Sequence, residues 1–373
     1  SNDTNNNSSA SVSDQVTLSR NLSLFTITMI GVGAMIGAGI FVLTGIAAGV
    51  AGPALVLAFI LNGLVALLTA SAYAELGSTF PEAGGGYLWV KKGLGGASGF
   101  VAGWMNWFAT AAAGSLYALA FGRFAVELMD MAGLSDFGLS VHSRTLFFMV
   151  IIIVLFTAIN YLGASETGTV GNVITVLKIV ILGFFVSFAM MAMLRTDAWQ
   201  TRFTEDFLPN GFFGVFAAMG LTFIAFEGYE IIAQSGEEVI QPERNVPRAI
   251  FLSIGIAVTI YVLVSITALG ATLAPAGMTV WDYLGEKKEI AIVEVAQQTF
   301  PLGLGAVILL VSGLISTMSA LNATTYSSSR VSFAMGRDHN LPSIFGQIDP
   351  KRHTPTKAVI ISGGLMLVCL LYT

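Results

Sequence analysis

Nine stretches of this chain are each long and apolar enough to cross a lipid bilayer as an α-helix, and nothing else in the sequence constrains its fold so tightly. They fall at about residues 22–48, 53–77, 96–129, 144–162, 166–194, 211–236, 247–273, 301–334 and 357–373. About 20 mostly apolar residues cover the hydrocarbon thickness, and within it each backbone polar group must be satisfied inside its own helix. Composition agrees: 10% of the 373 residues are charged and 55% hydrophobic, with a mean hydropathy of +0.78. A soluble domain carries roughly a quarter charged residues. The chain therefore reads as an all-α membrane protein with lipid as its solvent. A net charge of −5 offers nothing to nucleic acid. One cysteine, Cys369, and three scattered histidines (His142, His339, His353) provide neither a disulfide framework nor a metal cluster, and no cofactor is called for.

Residues 1–20 form an Asn/Ser-rich polar tail, read as disordered and cytoplasmic; the apolar segment behind it is too long for a signal peptide. Cytoplasmic loops are enriched in Lys and Arg. With the N-terminus inside, ten of the seventeen basic residues fall in inner loops and six in outer ones, and Lys178 lies within a span. That bias favours a cytoplasmic N-terminus and a multi-pass protein of the cell membrane. The ninth segment stops without a polar flank, so the ninth helix reads as truncated.

Segment one carries four glycines in nine residues, Gly31, Gly33, Gly37 and Gly39, at mid-membrane. Glycine weakens a helix. Two readings fit: close helix packing through the Gly33/Gly37 pair, or an unwound stretch. In the second, carbonyls end one half-helix and free amides begin the next, so both signs of partial charge lie side by side, as an α-ammonium and an α-carboxylate require. Segment six has a matching irregularity at Phe223-Ile-Ala-Phe-Glu-Gly-Tyr-Glu230, two carboxylates and a glycine inside an apolar run. Carboxylates at such depth are costly and point to function by default. Glu230 reads equally as a capping or paired carboxylate; Glu227 lies nearer the break and within reach of a substrate. Interrupted segments at positions one and six suggest two five-helix repeats of opposite topology, residues 21–194 and 211–373, joined by an external loop at 195–210, with the second repeat incomplete.

Lys178 in segment five is roughly 18 Å from the nearer helix end at 1.5 Å per residue, too deep to snorkel. Its neighbours Thr175 and Gly171 make a small, partly polar stripe that faces protein. Two roles are open to it, a permanently paired structural lysine or one that gains and loses a proton during a transport cycle. Segment eight supplies a facing stripe, Ser312, Ser316, Ser319, Ala323 and Ser327, which suits ordinary helix packing or an ion or proton site.

In order along the chain, Gly33-Ala-Met-Ile-Gly-Ala-Gly-Ile-Phe41, Phe80-Pro-Glu-Ala-Gly-Gly-Gly-Tyr87, Phe226-Glu-Gly-Tyr-Glu230, Glu237-Glu238 with Pro242-Glu-Arg-Asn-Val-Pro-Arg248, and Arg330-Val-Ser-Phe-Ala-Met335 resemble the amino acid–polyamine–organocation (APC) superfamily of permeases. The likeness is to its proton-coupled, broad-specificity and cationic amino acid transporter branch and covers about residues 20–373. The resemblance implies a leucine-transporter-like inverted repeat with helices one and six unwound around an amino acid. It implies that amides of Gly37, Ala38 and Gly39 meet the substrate carboxylate. Carbonyls of Met35 and of Phe223, Ile224, Ala225 and Phe226 would receive its ammonium, with Ile36 beside them and Phe226 as an aromatic gate. Lys178 stands where sodium-coupled relatives hold a cation, its ammonium toward the Gly33 or Ile36 carbonyl and the Ser316 or Ser319 hydroxyl. Glu227 departs from the neutral residue of many relatives. The function implied is import of amino acids by proton symport with alternating access. An exchanger, a polyamine importer with Glu227 pairing its cationic substrate, and a membrane amino-acid sensor stay open as alternatives. An enzyme does not fit, because no nucleophile–base or metal constellation lies among the helices. The partners implied are a small amino acid, a proton and the bilayer, with no nucleic acid; the oligomeric state is unspecified.

Overall fold

The structure, a computed structural model, describes residues 17–37, 39–134, 138, 140–197 and 199–370. The 1–16 part of the polar tail and the Ala38 amide expected at the substrate lie outside the described residues. The remainder of the tail is placed: Leu18 is buried, and the Thr17 carbonyl lies 3.0 Å from Nδ1 of His353.

Each of the nine apolar segments is helical. Segment one is split into α1 (Leu24–Met35) and α2 (Gly39–Ala51); segment two is α3 (Leu55–Thr79). A short α4 (Gly86–Leu94) precedes α5 (Gly96–Met131), α6 (Val141–Leu162) and α7 (Ala164–Arg195). One turn, α8 (Thr201–Thr204), crosses the loop to segment six, itself divided into α9 (Gly211–Thr222) and α10 (Tyr229–Gln234). Then come α11 (Pro242–Ala271), the loop helices α12 (Val280–Lys287) and α13 (Ala291–Thr299), α14 (Gly305–Arg337) and α15 (Thr356–Cys369). Among the described residues, seven helical stretches are long and apolar enough to span a membrane. The number is below nine because α1, cut at its break, and α15 are both short, while α2 and α3 are separate segments that run on through a 3-10 turn at Gly52–Ala54. Hydropathy passes over α4, α12 and α13 because they are short and mixed in polarity.

Local chemistry sets several of the ends. The Ser23 hydroxyl accepts from the Thr26 amide at 3.2 Å and starts α1. Pro242 opens α11 from a position where its missing N–H costs nothing, so that helix begins five residues before the apolar run. Its far end is closed by Arg202 of α8, which donates to the carbonyls of Leu269, Gly270 and Thr272 at 3.2, 2.8 and 2.8 Å.

The exterior is apolar and the interior partly polar, the inverse of a soluble fold. Leu68, Val173, Leu194 and Phe213 are exposed, while Asn62, Lys178, Glu238 and Arg330 are buried. Helix α14 runs through the centre along α5, with every residue from Ser319 to Gly336 buried. The two breaks meet beside it. Gly228 has φ of +140°, and a Cβ there would stand 2.7 Å from the Ala34 Cβ and 2.8 Å from the Met35 nitrogen. Only glycine satisfies both the backbone conformation and the approach of α1.

Candidate substrate and coupling site

Helix α1 ends at Met35. The Ile36 amide still bonds back to the Val32 carbonyl, Gly37 donates to Met35 at 2.8 Å, and helix resumes only at Gly39. Two carbonyls near this end are taken by one side chain: Nζ of Lys178, fully buried on α7, donates to Gly33 at 3.0 Å and to Ile36 at 2.6 Å. A cation here complements both the orphan carbonyls of the last turn and the negative end of the half-helix dipole. Among the described residues no carboxylate forms an ion pair with Lys178. One turn earlier, the Thr175 hydroxyl shares a hydrogen bond of 2.9 Å with Ser319 on α14, and Gly33 packs so closely against both hydroxyls that a methyl would overlap them. The Ser319 hydroxyl thus reaches the lysine's helix through Thr175. Ser316 is fully buried, and among the described residues its hydroxyl has no hydrogen-bond partner.

At the second break, Phe223–Phe226 forms a 3-10 turn, Glu227 is extended, and α10 starts after Gly228. An Oε2 of Glu230 accepts the Gly228 amide at 2.7 Å, so this carboxylate caps the second half-helix. The turn spreads its side chains: Ala225 and Phe226 are buried, Ile224 is exposed on the outer surface, and Phe223 borders a cavity. Phe226 packs in a cluster with Phe59 and Tyr261, its ring perpendicular to Tyr261 at 5.2 Å, and does not line that cavity.

The cavity, about 480 Å³, lies between the breaks, α3, α5 and α14. Its walls include Ala34, Tyr73, Asn106, Tyr117, Glu227, Tyr229, Glu230 and Thr324. Tyr117 extends it to the first break, since a Cβ on Gly37 would be 3.1 Å from the tyrosine ring.

A residue that sequence reasoning passed over joins the two breaks. The Tyr261 hydroxyl on α11 is 2.7 Å from the Met35 carbonyl and 2.6 Å from the Ala225 carbonyl, sharing its one proton between them. With the Gly37 amide also on it, the Met35 carbonyl has both lone pairs engaged, while that of Ala225 keeps a second one free to accept. A tyrosine inside an apolar run carries no distinguishing spacing, and only the fold reveals its partners. Tyr261→Phe removes one net hydrogen bond, about 1 kcal/mol. The expected consequence is a roughly fivefold higher KM for uptake in liposomes; an unchanged KM would remove Tyr261 from the positioning of the site.

Below the cavity, on the side of α4 and α10, the motif residues converge. Glu238 and Arg330, both fully buried, form a bidentate pair with distances of 2.8 and 2.8 Å. The Tyr326 hydroxyl donates to Glu238, and its ring lies 4.0 Å from the guanidinium carbon. The Glu238 carbonyl accepts the Asn21 and Leu22 amides at 3.1 and 2.9 Å. Glu237 accepts the Ala83 amide at 2.9 Å and pairs with Arg337 at 2.7 Å. Gln234 bonds to Ser327 just above.

Comparison with known proteins agrees with this architecture. A model of the amino acid permease family matches residues 22–373. The branched-chain amino acid permease BcaP of Bacillus subtilis (strain 168) is 30% identical over 370 residues, 95% of this chain and 75% of that protein. The methylthioribose transporter of the same organism is 31% identical, over 93% and 73%. Cationic amino acid transporter 4 of Mus musculus is 29% identical over 96% of this chain and 56% of its own length. In fold, the chain resembles Mhp1, a nucleobase-cation-symport-1 family transporter in a closed conformation with bromovinylhydantoin bound, with a TM-score of 0.60 over 96% of this chain and 74% of that one, at 12% identity. With its leucine-transporter-like arrangement of apolar helices and its match to the permease model along almost the whole sequence, the chain belongs to the amino acid permeases of the APC superfamily, multi-pass membrane transporters of amino acids and related organic solutes.

Proposed function

We propose that this permease imports amino acids across the cell membrane by proton symport, with its N-terminus in the cytoplasm. The observation that carries the reading is the Lys178 ammonium, 3.0 and 2.6 Å from two carbonyls at the end of α1. A single titratable group there touches the broken helix that offers the substrate its amides. The substrate carboxylate is received at the N-terminus of α2, around Gly39, and its ammonium by the Ala225 carbonyl; the Gly37 amide and the Met35 carbonyl, bonded to each other in this structure, join them when the break rearranges. Protonated, Lys178 holds α1 against α7 through charge-assisted hydrogen bonds; neutral, it holds α1 less tightly, because such bonds are roughly twice as strong as neutral ones. The substrate and the proton thereby act on one element. Helices α1–α3 and α9–α11 rock against α5, α6, α14 and α15, exposing the breaks to one side and then the other. In this reading residues 21–194 and 211–373 are the two inverted halves, on either side of the 195–210 loop.

The test is transport by the full chain in liposomes, with and without an inward proton gradient. Symport predicts net accumulation that rises with the gradient. Counterflow without gradient-driven accumulation would identify an exchanger, and substrate binding without either would identify a sensor.

A further inference from the structure

Glu227 has a part in the site that neither the backbone contacts nor the coupling lysine accounts for. Its neighbour Glu230 is occupied in capping α10 through the Gly228 amide. Glu227 is different. Among the described residues its carboxylate has no ion-pair or hydrogen-bond partner, and it is exposed on the wall of the 480 Å³ cavity. A carboxylate at this depth is costly and is retained with a counter-charge. The protein does not place one nearby: no Lys, Arg or His is among the described residues lining the cavity. Glu230 lies close enough to add to the negative potential. Three tyrosines, Tyr73, Tyr117 and Tyr229, share the same walls, and aromatic faces attract ammonium and guanidinium groups. The cavity volume falls within the range of small-molecule sites and leaves room for a long side chain beside the breaks.

We propose that Glu227 sets the charge preference of the permease, receiving the side-chain ammonium or guanidinium of a cationic amino acid. The proposal rests on the amino-acid import reading above and names the substrate class of that same site. The arrangement favours an amino acid over a polyamine because Ala34, next to the break, lines the cavity, and the helix that resumes at Gly39 has an N-terminus suited to a carboxylate that a polyamine lacks. Glu227 then discriminates by electrostatics: a cationic side chain supplies the missing partner, and a neutral one leaves the carboxylate unpaired.

The experiment compares wild type, Glu227→Gln and Glu227→Asp of the full chain in liposomes, measuring kcat/KM for L-lysine, L-arginine and L-leucine, with spermidine as competitor. Wild type is expected to prefer lysine and arginine over leucine. Glu227→Gln is expected to reduce the lysine-to-leucine ratio about 30-fold, the effect of one charge-assisted hydrogen bond, with Glu227→Asp retaining much of the preference. The ratio is insensitive to the fraction of protein that folds, and a merely structural role would lower both substrates together and leave it unchanged. An unchanged ratio overturns the proposal, as does wild-type preference for leucine. Competition by spermidine stronger than that by lysine also overturns it, in favour of a polyamine substrate. Gradient-driven leucine uptake without lysine uptake refutes the charge assignment alone; failure to accumulate any amino acid refutes the import reading with it.

Discussion

Replacing Lys178 by methionine is expected to remove the response of uptake to an inward proton gradient: the ratio of initial rates with and without the gradient falls to one. The wild-type ammonium is fully buried and supplies hydrogen bonds to two carbonyls of α1. Methionine fills much of the same volume and donates nothing, so the Gly33 and Ile36 carbonyls lose a charge-assisted partner, a change of about 3 kcal/mol. Substitution by arginine separates the two roles open to this residue. A guanidinium keeps its charge at any working pH, so it preserves a purely structural tie and abolishes a titrating one. Coupling through Lys178 therefore predicts that Lys178→Arg, like Lys178→Met, yields a gradient ratio of one. If either variant still accumulates substrate in proportion to the gradient, the proton is carried elsewhere and the lysine is a structural cap on α1.

The sequence made some of these features legible because they violate the bilayer's rules. Four glycines in a mid-membrane segment, carboxylates in an apolar run and one lysine with no charged neighbour are each expensive in hydrocarbon, and each falls at a position where the structure departs from regular helix or buries a polar contact. The spans followed from hydropathy to within a few residues, except where an end depends on capping chemistry, as at Pro242, or where a break shortens a helix, as at Met35. Other features were not readable, for a geometric reason. A 3-10 turn advances about 120° per residue, so within Phe223–Phe226 the neighbours Ile224 and Ala225 face opposite environments, and adjacency to the break does not say which side chain meets the cavity. The resemblance offered Phe226 as an aromatic gate; the aromatic cavity walls in this structure are Tyr73, Tyr117 and Tyr229, on three different helices, while Phe226 packs with Phe59 and Tyr261. Tyr261 lies 36 residues from Ala225 and 226 from Met35 along the chain, a separation that no local pattern encodes. The motifs around Glu237, Glu238 and Arg330 identified a family before they identified a contact.

That last contact carries the other large expected effect. Glu238→Gln or Arg330→Met alone is expected to destabilise the permease by about 3–5 kcal/mol, because either change leaves its partner's charge buried and uncompensated. Both side chains are fully buried, and the remaining groups of the cluster, the Tyr326 hydroxyl and the Ser329 and Thr354 hydroxyls near the guanidinium, are too few and too weak to replace the lost ion. The double variant Glu238→Leu/Arg330→Met should recover most of that loss, since a well-packed apolar pair is often as stable as a buried ionic one. Thermal unfolding in detergent measures all three. Stability and transport should then part company. The pair joins α14 to the segment that follows α10, and the same Glu238 residue holds Asn21 and Leu22 at the entrance to α1 through its backbone carbonyl. Both half-helices that move in the proposed cycle are therefore tied to the scaffold at one point. An apolar pair lacks the directional bonds that fix one register and break as a unit, so the double variant is expected to be stable yet to take up substrate at least tenfold more slowly. If it transports at the wild-type rate, the pair serves folding alone and the closure of this end of the permease rests on the Glu237–Arg337 and Gln234–Ser327 contacts around it.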